Sequence, residues 1–78
     1  GRVMHGPPDV PNDGIAKRGI ELRPGLVIAI EPWFLAGSPE IVIDRDGWTI
    51  RSVDRSRGVH VEHTIAITAD GPLVLTAR

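Results

Sequence analysis

Two glutamates stand in apolar surroundings. Glu31 ends the run Leu26-Val27-Ile28-Ala29-Ile30-Glu31, and Glu62 lies within Val59-His60-Val61-Glu62-His63-Thr64-Ile65-Ala66-Ile67-Thr68. A carboxylate in a buried strand is costly unless something pairs with it, and a metal ion is one partner that suits it. Carboxylate oxygens match hard or borderline divalent ions such as Mn²⁺, Co²⁺, Fe²⁺ or Zn²⁺. The bland alternative is a solvated residue on a half-exposed strand. The alternation around Glu62 is compatible with it, while the apolar run before Glu31 argues against it.

Three histidines come next. His5 precedes a proline-rich loop, while His60 and His63 flank Glu62. Imidazole can ligate a metal, carry a proton or hydrogen-bond a carbonyl, although a lone loop histidine is more often simply exposed. His-x-Glu-His is not the spacing of a zinc-binding helix, where both histidines share one helix face. On a strand, His60 and Glu62 share a face and His63 points away. Trp33 and Trp48 are the only tryptophans. Aromatic residues on strands are usually core, but a tryptophan directly after a hairpin turn can also wall a pocket. No Ser/His/Asp arrangement, phosphate-binding loop or basic patch stands out.

The elements that must position these groups are mostly strands. Residues 26–34 read as one strand with both faces buried, interrupted where Pro32 cannot donate a ladder bond. Residues 40–45 and 48–53 read as a hairpin around Asp46-Gly47. Residues 59–68 alternate as a single strand, and Leu73-Val74-Leu75 is a short last one. Before them, residues 6–14 are breaker-rich, residues 15–23 have room for a short helical turn, and Pro24-Gly25 marks a turn. The expectation is a loop-rich approach over residues 1–25 and an antiparallel sheet over residues 26–78.

The chain has 78 residues, enough for one small domain. A net charge of −1 gives no reason to expect nucleic acid or a membrane as partner. No apolar run approaches the roughly 20 residues of a transmembrane helix. The absence of cysteine rules out disulfides and thiolate chemistry and fits a cytoplasmic setting. A sheet must bury a face against something, and no convincing amphipathic helix is present to cover it. The expectation is therefore a piece of a larger protein, or a sheet that self-associates.

Four segments in order carry a resemblance. They are Gly1-Arg2-Val3-Met4-His5 with Pro7-Pro8-Asp9-Val10-Pro11-Asn12, then Leu22-Arg23-Pro24-Gly25-Leu26 running into Ile30-Glu31-Pro32. Asp46-Gly47-Trp48-Thr49-Ile50 follows, and then Glu62-His63-Thr64-Ile65-Ala66-Ile67-Thr68 with Leu73-Val74-Leu75-Thr76. Together they resemble the C-terminal part of a type I methionine aminopeptidase. The resemblance implies the α+β pita-bread fold, of which this segment would be the mainly antiparallel, hairpin-rich C-terminal part. It implies a cytoplasmic enzyme with two divalent ions (Co, Mn, Fe or Zn) that removes initiator methionine from nascent proteins. N-terminal methionyl peptides would be its substrates, and the ribosome a partner of the parent enzyme. Glu31 matches the glutamate that binds one ion and Glu62 the one that bridges both. His5 matches the substrate-contacting histidine outside the metal shell, and Met4 and Trp48 match the pocket for the methionine side chain. Two aspartates and a histidine ligand lie upstream in the family, the histidine in a motif whose final glycine matches Gly1. On that count this chain holds two of five ligands, binds metal weakly or not at all by itself, and is inactive alone.

Some residues depart from the family pattern. Gly6 and Asp13 replace a usual Glu and Tyr, and Trp33-Phe34 replaces a smaller or more flexible pair. Arg57-Gly58-Val59-His60 replaces the usual Ser-Ala-Gln approach. Gly58-Val59-His60-Val61-Glu62 is similar instead to the corresponding run in prolidases and aminopeptidase P enzymes, which share the fold and cut before proline. A fragment of such an enzyme, or a non-catalytic β-sheet module that binds a peptide, are the alternative readings.

Overall fold

A computed structural model describes residues 2–78; Gly1, matched above to a glycine of the histidine-ligand motif, lies outside the described residues. Seven strands follow one another: β1 (Val27–Ile30), β2 (Trp33–Leu35), β3 (Ile41–Ile43), β4 (Ile50–Ser52), β5 (Gly58–His60), β6 (His63–Thr68) and β7 (Gly71–Val74). There is no helix among the described residues. Every pairing is antiparallel: a sheet in the order β1-β6-β7, and two ribbons, β2-β5 and β3-β4. The residues up to Glu31 form one compact unit with Glu62–Arg78, and Pro32–Val61 form a second.

In the first unit β6 is central. The Ile67 N–H donates to the Leu26 carbonyl at 2.8 Å, and the Leu75 N–H to the Thr64 carbonyl at 2.8 Å. Antiparallel pairs alternate between hydrogen-bonded and non-hydrogen-bonded, so these two bonds fix the phase of both ladders. Pro72, opposite Ile67, then falls at a non-hydrogen-bonded position of the edge strand β7, where its missing N–H costs no ladder bond. Directly opposite residues share a face. Ile28, Ile65 and Val74 therefore lie on one face, and Val27, Ala66 and Leu73 on the other. Ile67 is the buried apolar side chain of the unit.

The same alternation explains where the long strands break. In the second unit the Ala36 N–H donates to the Arg57 carbonyl at 2.9 Å, and Phe34 pairs with Val59. The next hydrogen-bonded pair along is Pro32 with Val61, and proline has no proton to give it. Residues 26–34 thus divide into β1 and β2, as Pro32 predicts. Residues 59–68 are not one strand: they divide into β5 and β6 because their partner strand is broken. Double-sided burial of residues 26–34 is also corrected. Val27 and Ile28 are half-buried, while Ala29, Ile30 and Glu31 are exposed, because none of the described residues covers that end of the sheet.

Upstream of β1 the expected helical turn is a β-turn instead. The Arg18 N–H donates to the Ile15 carbonyl at 3.1 Å, with Lys17 at φ 63°; one bonded turn cannot propagate as a helix from there. Pro24-Gly25 turns as expected. Leu26 N–H donates to the Arg23 carbonyl at 3.2 Å, and Gly25 takes φ 98°, which a type II turn requires at that corner. The hairpin also forms, but its connection is longer than an Asp-Gly two-residue turn. Asp44 N–H donates to the Thr49 carbonyl at 2.8 Å, so Asp46, Gly47 and Trp48 all sit in the loop.

Ile67→Ala should lower stability by about 2 kcal/mol, the low end for deleting a buried aliphatic side chain. Val74→Ala on the exposed edge strand should cost well under half of that. Urea midpoints of the two variants check this ordering.

Candidate metal edge and aromatic cleft

The β1-β6 ladder ends at Ile30 opposite His63. One residue further along each strand come Glu31 and Glu62, which the register places opposite one another on the face shared by Val27 and Ala66. Ile30 and His63 occupy a hydrogen-bonded position by the phase set at Leu26 and Ile67. Continued one step beyond the last pair, that alternation assigns Glu31 and Glu62 a non-hydrogen-bonded position. Both residues are exposed, which corrects the expectation of carboxylates buried in apolar strands. Two hard oxygen donors from neighbouring strands fit a divalent ion as part of its ligand set. Among the described residues no three His, Cys, Asp or Glu converge as a metal-holding cluster.

His63 lies on the opposite face with Ile30, as strand alternation requires. Its Nδ1 shares a hydrogen bond of 2.9 Å with the Thr76 hydroxyl, which also accepts from the Thr64 N–H at 3.1 Å. It ties the end of the chain to β6. Met4 and His5 precede β1 in the first unit; His5 is exposed, and Met4 is 91% exposed.

Trp48 belongs to the second unit and to a different environment. It is 86% exposed, too much for a core residue. With Trp33, His60, Ile43 and Ile50 it lines an open cleft of about 1470 Å³. Trp33 and His60 face each other across the β2-β5 ribbon with ring centroids 6.4 Å apart and planes tilted by 49°. They too fall at a non-hydrogen-bonded position, which brings the rings together. Both are positions where the sequence departs from the family pattern, and their pairing was invisible before the register was known.

The loop carrying Trp48 is braced by Asp46. Its Oδ1 accepts from the Trp48 N–H at 2.9 Å and the Thr49 N–H at 2.8 Å, and its Oδ2 accepts from the Thr49 hydroxyl. The Thr49 hydroxyl first, and then the two backbone donors, pull the Asp46 pKa down to about 2. Asp54 is held well below the usual carboxylate range by the Ser52 hydroxyl and then by the Ser38 and Ser56 N–H groups. Sequence reading passed over this second cluster. Its signal was Ser52-x-Asp54-x-Ser56, the spacing at which an aspartate bonds its own turn.

Both carboxyls titrate below the roughly 3.9 of an unfolded aspartate, so their stabilisation is complete above about pH 4. It is lost as pH falls through the folded values, to about pH 2 for Asp46 and lower for Asp54. Protection of the β3 and β4 amides, taken relative to the intrinsic exchange rate at each pH, should fall over that window, and an Asp46→Asn, Asp54→Asn double variant should already be poorly protected at pH 6 and lose little more in acid.

The relatives point the same way as the carboxylate pair. The family model for metallopeptidase family M24 matches residues 1–69. A methionine aminopeptidase of Aquifex aeolicus (strain VF5) is 50% identical over 78 residues, taking in 97% of this chain and 30% of that protein. Methionine aminopeptidase 1 of Mycobacterium tuberculosis (strain CDC 1551 / Oshkosh) is 47% identical over 76 residues, 97% of this chain and 29% of that protein. The Escherichia coli (strain K12) methionine aminopeptidase is 40% identical over 78 residues, 100% of this chain and 30% of that protein. A solved structure of a methionine aminopeptidase from Streptococci superposes with a TM-score of 0.79 at 45% identity, over 87% of this chain and 25% of that one. The chain thus spans about 30% of the length of the curated relatives it matches. On these matches, it belongs to metallopeptidase family M24.

Proposed function

We propose that this chain forms the part of a methionine aminopeptidase that contributes two carboxylate metal ligands, Glu31 and Glu62, and one pocket wall. What carries the reading is the register of the β1-β6 ladder, which, continued one residue past Ile30 and His63, sets Glu31 across from Glu62. Similarity to methionine aminopeptidases along nearly all of the chain supports it. The whole enzyme in this reading has the α+β pita-bread fold, works in the cytoplasm, carries two divalent ions and acts on N-terminal methionyl peptides as they leave the ribosome.

Divalent ions bound by such a site supply Lewis acidity toward a carbonyl oxygen and make water more acidic. The residues of this chain do the rest of what is assigned here. Glu31 and Glu62 provide the negative charge and hard oxygen donors that would hold a cation. His5 offers an imidazole N–H to the substrate near its scissile carbonyl. Met4 and Trp48 offer soft apolar surface to the methionine side chain, a thioether that packs well against an indole.

A chimera tests the reading. The matching C-terminal part of the Aquifex aeolicus relative is replaced by this chain, and methionine release from a Met-Ala peptide is followed. The expected result is metal-dependent release that falls roughly hundred-fold or more in Glu31→Gln and in Glu62→Gln, since ligands matter at least as much as the groups that orient them. A folded chimera whose activity ignores both substitutions would sink the proposal. The 78-residue chain alone should release no methionine. Its calorimetric titration with Mn²⁺ should give only weak binding, abolished by either glutamate substitution.

A further inference from the structure

We propose that Asp54 is a positioning residue: its carboxylate fixes the β3-β4 ribbon against the β2-β5 ribbon, and so sets the gap between Trp48 and the Trp33–His60 pair. What enters that gap rests on the function proposed above; the positioning does not.

Within the second unit the two ribbons are joined by two connections, residues 36–40 and residues 53–57. Asp54 binds both. Its Oδ2 accepts from the Ser38 N–H at 2.8 Å, in the first connection. Its Oδ1 accepts from the Ser56 N–H at 3.0 Å, in the second, and from the Ser52 hydroxyl at 2.6 Å, at the end of β4. Ser52 is the buried polar side chain of the chain's described residues. The Ser56 hydroxyl closes the circle, donating to Ser52 Oγ at 3.1 Å and accepting from the Gly37 N–H at 3.1 Å. A Cβ on Gly37 would collide with the Asp54 carboxylate, so glycine is required for the connections to approach this closely. Arg55, between the two bonded residues, is held at φ 60°, a left-handed conformation that a non-glycine residue adopts when its surroundings impose it.

A carboxylate suits this junction because it only accepts. Three donors, one from each connection and one from the end of β4, converge on two oxygens, and a fourth, the Gly37 N–H, is accepted by the Ser56 hydroxyl. An amide of the same shape would turn one of those oxygens into a donor and leave at least one N–H or O–H without an acceptor. The ribbons are short and bury almost nothing of their own, so the junction is the feature that gives the cleft a fixed width.

Residual dipolar couplings on the ¹⁵N-labelled 78-residue chain read this directly, because they report how the two ribbons are oriented. In the wild type the couplings of both ribbons should fit one common orientation. In Asp54→Asn, and independently in Gly37→Ala, each ribbon should still fit by itself while the common fit fails. The indole signals of Trp33 and Trp48 should shift, and the amides of β1, β6 and β7 should stay in place. Two results overturn the proposal. One is a common fit unchanged from wild type in both variants. The other is collapse of residues 33–60 to random-coil shifts in both, which would make Asp54 a stability determinant and nothing more. Failure of the aminopeptidase reading would appear instead at Glu31 and Glu62, and would leave these couplings untouched.

Discussion

The missing amide proton of Pro32 is the constraint on which the arrangement turns. Hydrogen bonds in an antiparallel ladder recur at every second pair, and Pro32 occupies a slot that calls for one opposite Val61. The ladder therefore stops at Ile30 and His63 and starts again at Trp33 and His60. The residues next along from the end of the first ladder are Glu31 and Glu62. The position that opens the second is the Trp33–His60 ring pair. One missing proton thus interrupts the pairing beside the two glutamates.

Much of this was legible in the sequence, and the limits of legibility have physical causes. The break at Pro32, the Pro24-Gly25 turn and the Asp46-Gly47 hairpin are local chemistry, fixed by residues within a few positions of one another. The two glutamates were readable as a pair because apolar runs frame both. Burial was not readable in the same way. An apolar run says that a strand can be buried, not that anything covers it, and among the described residues nothing covers Ile30 and Glu31, which are exposed. Nor could the sequence show that residues 59–68 break at Val61 and Glu62, since the cause lies thirty positions away in the partner strand. The Asp54 junction escaped for a related reason. Serines and aspartates in a loop look like ordinary solvated residues until the second loop they bind is known.

The uncovered surface has its own consequence. Phe34, Ile43, Val59 and Leu73 are each more than half exposed. With so little hydrophobic burial, directional polar contacts must carry a larger share of local order than they do in a well-covered domain. Hence the prominence of side chains that bind backbone: Asp46 under the Trp48 loop, Asp54 between the connections, Thr76 against β6. They are arranged to hold loops and strand ends, which are the parts that a buried core would otherwise fix.

The acids of this chain differ in where the fold puts them. Asp46 and Asp54 accept from donors of their own loops, and their depressed pKa values follow from that. An aspartate that accepts three hydrogen bonds is built to brace a turn. Glu31 and Glu62 instead stand just beyond the last pair of the β1-β6 ladder, Ile30 with His63, outside any turn. All four are exposed to solvent, so exposure does not separate the bracing aspartates from the glutamates to which the proposed function gives a cation; position relative to turns and ladder ends does.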